Sequence, residues 1–253
     1  MLRFAAIGEP LLHPRIADMI AYAKQANVAE SVDIVTNASL LTHELSDALI
    51  RSGLDRLRIS LEGLNAQDYK TNADVELDFD IFVDNIRYYC NNNNDSEVYI
   101  KIIDYMLKNS GDEEKFYSLF SDMCDSIAIE HLTPTINGID YRSFSQQDNH
   151  RPQNGDCLLD TEVCPQGFYM MQINPDGKVV PCCNMTYPDI LGDAGDENVV
   201  EIWGGSRFNA FRRRMLESRM NTSSVCEQCL LYRYDLHEED ILDCVKRDLL
   251  SKY

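Results

Sequence analysis

Residues 32–61 read VDIVTNASLLTHELSDALIRSGLDRLRISL and hold a complete strand–helix–strand unit. The apolar run 32–35 predicts a buried strand, and the alternating segment 57–61 predicts a second one. The helix between them is predicted to begin after Thr42, a favourable N-cap, and to stop at Gly53. Two strands joined by such a helix pair in parallel, with a right-handed crossover.

The same alternation continues on both sides of this unit. Further strands are predicted at 2–7, 98–103 and 127–129. Helices are predicted where apolar residues repeat at helical spacing, at 16–23, 79–86 and 116–123. The fold class is therefore α/β with parallel strands, arranged either as a doubly wound sheet or as a section of a barrel.

Changes in composition divide the chain into four parts. Residues 1–135 form the α/β part, and the polar stretch 136–163, which contains Gly and Pro and shows no periodicity, is predicted to be a linker. A cysteine-rich part follows at 164–232. The tail, 233–253, is predicted to form an amphipathic helix.

Charge and hydropathy exclude some partners. The net charge of −19 argues against nucleic acid, because no surface here could neutralise a row of phosphates. The sequence shows neither a signal peptide nor an apolar membrane span, so we expect a cytoplasmic protein with no membrane partner. Five arginines at helical spacing are predicted to form a solvated helix face: Arg207, Arg212, Arg213, Arg214 and Arg219.

Four cysteines have the spacing of a metal or iron–sulfur site. The turn Pro175-Asp176-Gly177 folds a hairpin that brings Cys164 and Cys182 together. Cys226 and Cys229 add a Cys-x-x-Cys knuckle. Four convergent thiolates suit either zinc or a [4Fe–4S] cluster, and the residues alone do not decide between them. Disulfides are the alternative, which the expected reducing compartment disfavours.

The other cysteines are not predicted to be ligands. Cys183 follows Cys182 directly and would point away from the site if the strand continues, while Cys157 lies in the linker. Three others sit among apolar residues and are predicted to be core residues: Cys90, Cys124 and Cys244.

Several segments together resemble the radical S-adenosylmethionine (SAM) superfamily. Residues 4–14, FAAIGEPLLHP, look like the second strand of these enzymes with its Gly-Glu-Pro motif. Residues 35–41, VTNASLL, resemble the third strand, with Ala38 where Gly is usual, and RISLEG at 58–63 resembles the fourth. The pattern of Cys164, Gly177, four residues and Cys182, completed by the knuckle, is similar to the SPASM or shorter twitch extension.

This resemblance implies a fold and a set of cofactor residues. The fold would be a partial parallel (β/α) barrel lacking its first strand and helix, plus a small SPASM/twitch-like domain. The turn Gly8-Glu9-Pro10 would line the SAM amino group, Asn37 and Ser60 would bond its ribose or carboxylate, and Glu62 would face SAM or substrate. Lys101 and Asp104 are weaker candidates, and we assign no catalytic residue. Auxiliary [4Fe–4S] ligands would be Cys164, Cys182, Cys226 and Cys229.

One departure bears on activity. The superfamily's Cys-x-x-x-Cys-x-x-Cys loop, which holds the cluster that cleaves SAM, does not occur in these 253 residues. We therefore expect a piece of a longer enzyme, with a degenerate relative as the alternative. SAM and a second [4Fe–4S] cluster would be used only in the longer parent, and the sequence leaves open whether this chain alone is an enzyme.

Three functions fit the pattern. The first is a radical SAM oxidoreductase that acts on a small metabolite or sugar and receives electrons from a donor. The second is a maturase that modifies a peptide or protein. The third is a non-catalytic module that binds a cluster or zinc. We favour the first, because one auxiliary cluster without a separate peptide-recognition domain suits a small substrate.

Overall fold

The computed structural model describes residues 1–133, 139–141 and 158–253. The chain forms two compact units, Met1–Glu130 and His131–Tyr253, which are described separately below. Most of the predicted linker, 136–163, lies outside the described residues, and Cys157 lies there too.

The first unit is built on a five-stranded parallel sheet. Its strands are β1 (Leu2–Phe4), β2 (Val32–Thr36), β3 (Arg56–Leu61), β4 (Glu97–Ile103) and β5 (Ser126–Glu130). They lie side by side in chain order, and each pairs in parallel with the next. An order without reversal is that of a barrel section, since a doubly wound sheet reverses its strand order at one point. The predicted α/β class is confirmed.

Helices join the strands and cover one face of the sheet. They are α1 (Ile16–Gln25), α2 (His43–Arg51), α3 (Ala66–Ala73), α4 (Phe79–Asn92) and α5 (Asp112–Phe120). Ile20, Leu49 and Ile86 from three of these helices are fully buried in one core with the strand residues Ile34 and Ile59. Every second strand residue faces this core, so the remaining strand residues lie on the opposite face.

Local signals set the boundaries of the strand–helix–strand segment at 32–61. The Thr42 hydroxyl caps α2 by accepting from the Leu45 amide at 3.2 Å, and Gly53 takes the left-handed φ of +76° just after the helix. The first strand is shorter than the predicted 2–7. Ala6 and Gly8 have φ of +82° and +104°, and these values turn the backbone out of the extended conformation after Phe4.

The second unit contains a small antiparallel sheet with β6 (Gln172–Ile173), β7 (Lys178–Val180) and β8 (Gly192–Asp193). The predicted hairpin is present as β6 and β7, although its first arm begins as the short helix α6 (Gln166–Tyr169). Three further helices follow: α7 (Val199–Gly204), α8 (Ser206–Glu217) and α9 (Ser224–Gln228). Val179, Ile202 and Phe208 lie in the core of this unit.

The tail is not the long amphipathic helix that its apolar spacing predicts. Only α10 (Lys246–Leu250) is α-helical, after short 3-10 turns at Glu238–Asp240 and Asp243–Val245. The Asp243 carboxylate accepts from the Thr161 hydroxyl at 2.7 Å and from the Glu162 and Val163 amides at 3.0 Å. These hydrogen bonds attach the tail to residues 161–163, which are about 80 positions earlier in the sequence. They outweigh the preference of the tail sequence for a continuous helix. No helix in the described ranges is long and apolar enough to span a bilayer.

Candidate functional site

The four predicted cluster ligands line one cavity in the second unit, here called the cysteine cavity. Cys164 lies just before α6, and Cys182 lies just after β7. Cys226 is inside α9, and Cys229 is the residue at which that helix ends. The hairpin and the knuckle therefore bring their thiols to one place, as the sequence predicted. Phe211 and Met215 of α8 form part of the apolar wall.

Each of these four sulfurs has a hydrogen-bond donor directed at it. The backbone N–H of Gln166 donates to Cys164, and that of Asn184 donates to Cys182. The Ser223 hydroxyl bonds the Cys226 sulfur, and Asn184 Nδ2 donates to Cys229 Sγ at 3.4 Å. A neutral thiol is a weak acceptor, whereas a thiolate accepts strongly. The donors are thus placed for sulfurs that carry negative charge.

Burial favours the protonated form of three of these thiols, those of Cys164, Cys182 and Cys226. It raises the pKa of Cys164 to about 12, although the Gln166 N–H lowers it somewhat. Burial also raises the pKa of Cys182 and of Cys226 above the ordinary value. A metal or cluster must therefore displace protons when it binds, and the charge it brings replaces the lost hydration of the thiolates.

Zinc and a [4Fe–4S] cluster require different spacings of four cysteine sulfurs. Among the described residues, no three Cys, His, Asp or Glu side chains are close enough to hold a single metal ion. Zinc places each sulfur about 2.3 Å from one central atom. A [4Fe–4S] cluster instead offers one iron to each of four thiolates, so its ligands stand farther apart.

Two arginines beside this site contradict the predicted solvated helix face. Arg219 lines the cysteine cavity, donates to the Cys226 carbonyl at 3.0 Å and lies 4.6 Å from the centre of the Tyr232 ring. Arg212 is only 3% exposed. The helical spacing was right for Arg207 and Arg213, which pair with surface carboxylates. Arg212 is buried against Gly167, 45 positions away in sequence, whereas the half-buried Arg219 contacts Cys226 and Tyr232 a little further along the chain.

The predicted SAM residues of the first unit lie at the carboxyl ends of β1, β2 and β3. The Glu9 carboxylate accepts from the Leu11 amide at 2.9 Å, the Thr36 hydroxyl at 2.6 Å and the Asn37 amide at 2.8 Å. A carboxylate has about four acceptor positions, so one remains for a ligand. Glu9 therefore mainly ties the turn after β1 to the end of β2.

The neighbouring residues of this turn fix its backbone. Gly8 has φ of +104°, and Pro10 is the first residue of a short 3-10 helix, Pro10–Leu12, that Glu9 caps. Ala38, which stands where the resembled family has Gly, has φ of +59° and is buried. A non-glycine residue is strained in this conformation, so the loop after β2 holds a shape that normally calls for Gly.

Asn37 is held by hydrogen bonds, and Glu62 lies close enough to Glu9 to feel its charge. The Tyr69 hydroxyl donates to the Asn37 carbonyl at 3.2 Å, and the Asn37 side chain accepts from the Ser39 amide at 2.9 Å. Burial and the nearby Glu9 carboxylate raise the pKa of Glu62, while Lys101 opposes them. The sequence did not identify Tyr69 as a support for this loop.

Ser60 is placed on β3 directly opposite Lys101 of β4. Lys101 is mostly buried and pairs with Glu130 at 2.5 Å, and the Tyr99 hydroxyl donates to the same carboxylate at 2.7 Å. Asp104, the other weak candidate, lies in a 3-10 turn after β4 and is buried. These groups make the strand ends polar, which suits a ligand that carries amino, carboxyl and hydroxyl groups.

Comparison with known proteins identifies the class. Residues 4–120 match the radical SAM superfamily, and residues 164–230 match SPASM, an iron–sulfur cluster-binding domain. The chain belongs to the radical SAM superfamily and carries a SPASM domain. The cofactors of these two families are SAM with a [4Fe–4S] cluster and an auxiliary iron–sulfur cluster, so the cofactor classes predicted from the sequence are confirmed.

Curated relatives share short segments with this chain. A GTP 3′,8-cyclase from Chlorobaculum tepidum is 41% identical over 68 residues, which are 27% of this chain and 20% of the relative. The tungsten-containing aldehyde ferredoxin oxidoreductase cofactor-modifying protein of Pyrococcus furiosus is 39% identical over 64 residues, 25% of this chain and 17% of the relative. The matches thus span about a fifth of the length of these relatives.

Solved structures share the fold. The structure of anSMEcpe with bound AdoMet matches with a TM-score of 0.57 at 11% identity. The match covers 99% of this chain and 78% of the anSMEcpe chain. Streptococcus suis SuiB bound to S-adenosylmethionine has a TM-score of 0.55 at 14% identity, with coverages of 90% and 59%. The predicted partial barrel with a small cysteine-rich domain is therefore confirmed as a fold.

Proposed function

We propose that this chain is part of a radical SAM oxidoreductase that acts on a small metabolite or sugar. In this proposal Cys164, Cys182, Cys226 and Cys229 hold the auxiliary [4Fe–4S] cluster. The observation that carries it is the cysteine cavity itself, where four sulfurs meet and each has its own hydrogen-bond donor.

The SPASM unit would then serve to hold an electron carrier. Four thiolates use one coordination position on each iron, so a substrate cannot bind there through an open iron. The apolar wall with Phe211 and Met215 limits the access of water, and Arg219 balances part of the negative charge. Both features suit a site that passes single electrons to or from a partner.

The ends of β1 to β3 would bind SAM. Gly8 and Pro10 would line the SAM ammonium, with the remaining acceptor position of the Glu9 carboxylate beside them. Asn37 and Ser60 would bond the hydroxyl or carboxyl groups, and Glu62 would face SAM or the substrate. In the longer parent, SAM bound to a second, reduced [4Fe–4S] cluster would take one electron from it and supply a radical able to remove a hydrogen atom from the substrate.

The names of similar proteins bear on the substrate class. The relatives named GTP 3′,8-cyclase, by their name, act on a small molecule, which favours a small substrate here. The SuiB structure is described in complex with a precursor peptide. Its likeness to this chain is one of fold, so modification of a peptide is the second candidate. Incubation with a metabolite pool and with a peptide pool, followed by mass spectrometry, would separate the two.

The cluster assignment is tested by anaerobic purification and reconstitution with iron and sulfide. We expect brown protein with about four irons per chain. Replacing any of the four cavity cysteines by Ala should remove most of the iron. Cys183→Ala is the matched control, because Cys183 is adjacent to Cys182 but exposed and outside the cavity. Stoichiometric zinc without iron in protein prepared without oxygen would overturn the proposal.

A further inference from the structure

Asn184 is a buried amide in the cysteine cavity, only 3% exposed. Its Nδ2 donates to Cys229 Sγ at 3.4 Å, and its own backbone N–H donates to the Cys182 sulfur. Its Oδ1 accepts from the Thr186 amide at 2.8 Å. The backbone N–H of Thr186 can only donate, so the side-chain atom that faces it must be the Asn184 oxygen. The side-chain nitrogen of Asn184 therefore faces the Cys229 sulfur.

This residue links two ligands that belong to different parts of the unit. Cys164 and Cys226 receive their bonds from Gln166 and Ser223, which lie two and three residues away along the chain. The bond to Cys229 comes instead from across the cavity, from a donor 45 positions away in the sequence. Asn184 thereby contacts both the hairpin ligand and the knuckle ligand.

The hydrogen bond from Asn184 Nδ2 to Cys229 Sγ stabilises the unit only if the sulfur is charged. A buried amide N–H without a good acceptor destabilises the fold, and a neutral thiol accepts weakly. A cluster thiolate accepts well, and it accepts better still after reduction, when the cluster carries one more negative charge. Hydrogen bonds to cluster sulfurs are among the factors that set reduction potentials.

We propose that Asn184 sets the reduction potential of the auxiliary cluster by donating to the sulfurs of Cys182 and Cys229. This inference rests on the proposed cluster site and goes beyond it, since ligation alone does not fix a potential. In the reduced state the amide opposes the added charge, so removing it makes reduction harder.

The test compares reconstituted wild-type protein with Asn184→Ala and Asn184→Asp in redox titrations followed by electron paramagnetic resonance. Both variants should have lower midpoint potentials than the wild type. At a fixed potential near the wild-type midpoint, we expect the ratio of reduced to oxidised cluster to fall severalfold in Asn184→Ala. It should fall further in Asn184→Asp, because a carboxylate keeps the shape but adds negative charge.

Asn174→Ala is the matched control, a buried amide on the same hairpin that does not line the cavity. Its potential should equal that of the wild type. Full iron content with unchanged potentials in both Asn184 variants would overturn the inference. Loss of the cluster from both variants would also overturn it, in favour of a purely structural role. A wild-type protein that takes up no iron would instead refute the proposed function.

Discussion

The guanidinium carbon of Arg212 lies 4.0 Å from the centre of the Trp203 ring. The Phe208 ring is 4.6 Å away, and Nε donates to the Gly167 carbonyl at 2.9 Å. In the described part of the chain this buried cation has aromatic faces and carbonyls around it, and its Nη2 has no hydrogen-bond partner. Burial lowers the pKa of Arg212. Because Gly167 belongs to α6, which follows Cys164, Arg212 braces the hairpin side of the cysteine cavity.

Arg212→Lys should therefore destabilise the second unit. Lysine lacks the planar fork that stacks on Trp203 while donating to two carbonyls, and we expect a loss of about 2–3 kcal/mol in free energy of unfolding. Denaturant unfolding followed by tryptophan fluorescence measures it, since Trp203 is the single tryptophan. Arg213→Lys, at an exposed pair with Glu217, should change stability by less than about 0.5 kcal/mol. Equal effects of the two substitutions would contradict this role of Arg212.

Gly177→Ala should weaken the hairpin that carries Cys182. Gly177 has φ of +82°, and an added Cβ would lie 2.7 Å from Asp193 Oδ1. The left-handed conformation alone costs about 1–2 kcal/mol for an L residue. Gly111→Ala separates the two effects, because φ there is +101° but a Cβ would meet no atom within 4 Å. Thermal unfolding of both variants should show the larger loss for Gly177→Ala.

Glu9→Ala should loosen the junction between the turn after β1 and the end of β2. It leaves the amides of Leu11 and Asn37 without their acceptor, and we expect destabilisation by about 2–3 kcal/mol. Hydrogen exchange should be faster at the amides of Leu11 and Asn37 in the variant than in the wild type. Glu30→Ala, at an exposed position, should leave both rates unchanged. Unaltered exchange in Glu9→Ala would show that the carboxylate does not hold this turn.

The raised pKa of Glu62 predicts a pH dependence. A carboxyl whose pKa is higher in the folded than in the unfolded chain binds more protons when folded, so its contribution to stability falls as pH rises. Glu62→Gln removes this cost, and its stability relative to the wild type should increase from pH 4 to pH 7. Urea unfolding at the two pH values measures the difference. An advantage of the variant that shrank with rising pH would contradict the assigned direction.

This chain alone should not cleave SAM. Its cysteines contain no Cys-x-x-x-Cys-x-x-Cys spacing, and the four cavity thiolates leave no iron position open on the auxiliary cluster. Reconstituted protein with dithionite and SAM should yield no 5′-deoxyadenosine by chromatography. Product formed by the 253-residue chain would show that our placement of the chemistry is wrong.

Local signals were enough to predict the sheet, since the Thr42 cap, the Gly53 stop and the apolar strands act within a few residues. The Cys164–Gly177–Cys182 spacing likewise predicted the thiols that the structure brings together. The errors came from long-range contacts. The tail conformation depends on Asp243 bonding to Thr161, and the burial of Arg212 depends on α6 and α7.

Asn184 could have been found only in part from the sequence. A polar residue two positions after Cys182 is a reasonable candidate for supporting a ligand, because such residues commonly orient metal ligands. Nothing in its neighbourhood indicates Cys229 as its partner, since the two are joined only by the fold. The sequence likewise does not indicate that Arg219 lines the cysteine cavity.

The division of the ligands between a hairpin and a knuckle has a consequence for how the second unit matures. All of α7 and α8 lies between Cys182 and Cys226, so a cluster bound to both closes a long loop of chain. Closing such a loop removes conformational freedom from the unfolded chain, much as a disulfide does. Protein that has not received iron should open there first and be cut soonest by proteases, so cofactor delivery would also decide how long each newly made molecule survives.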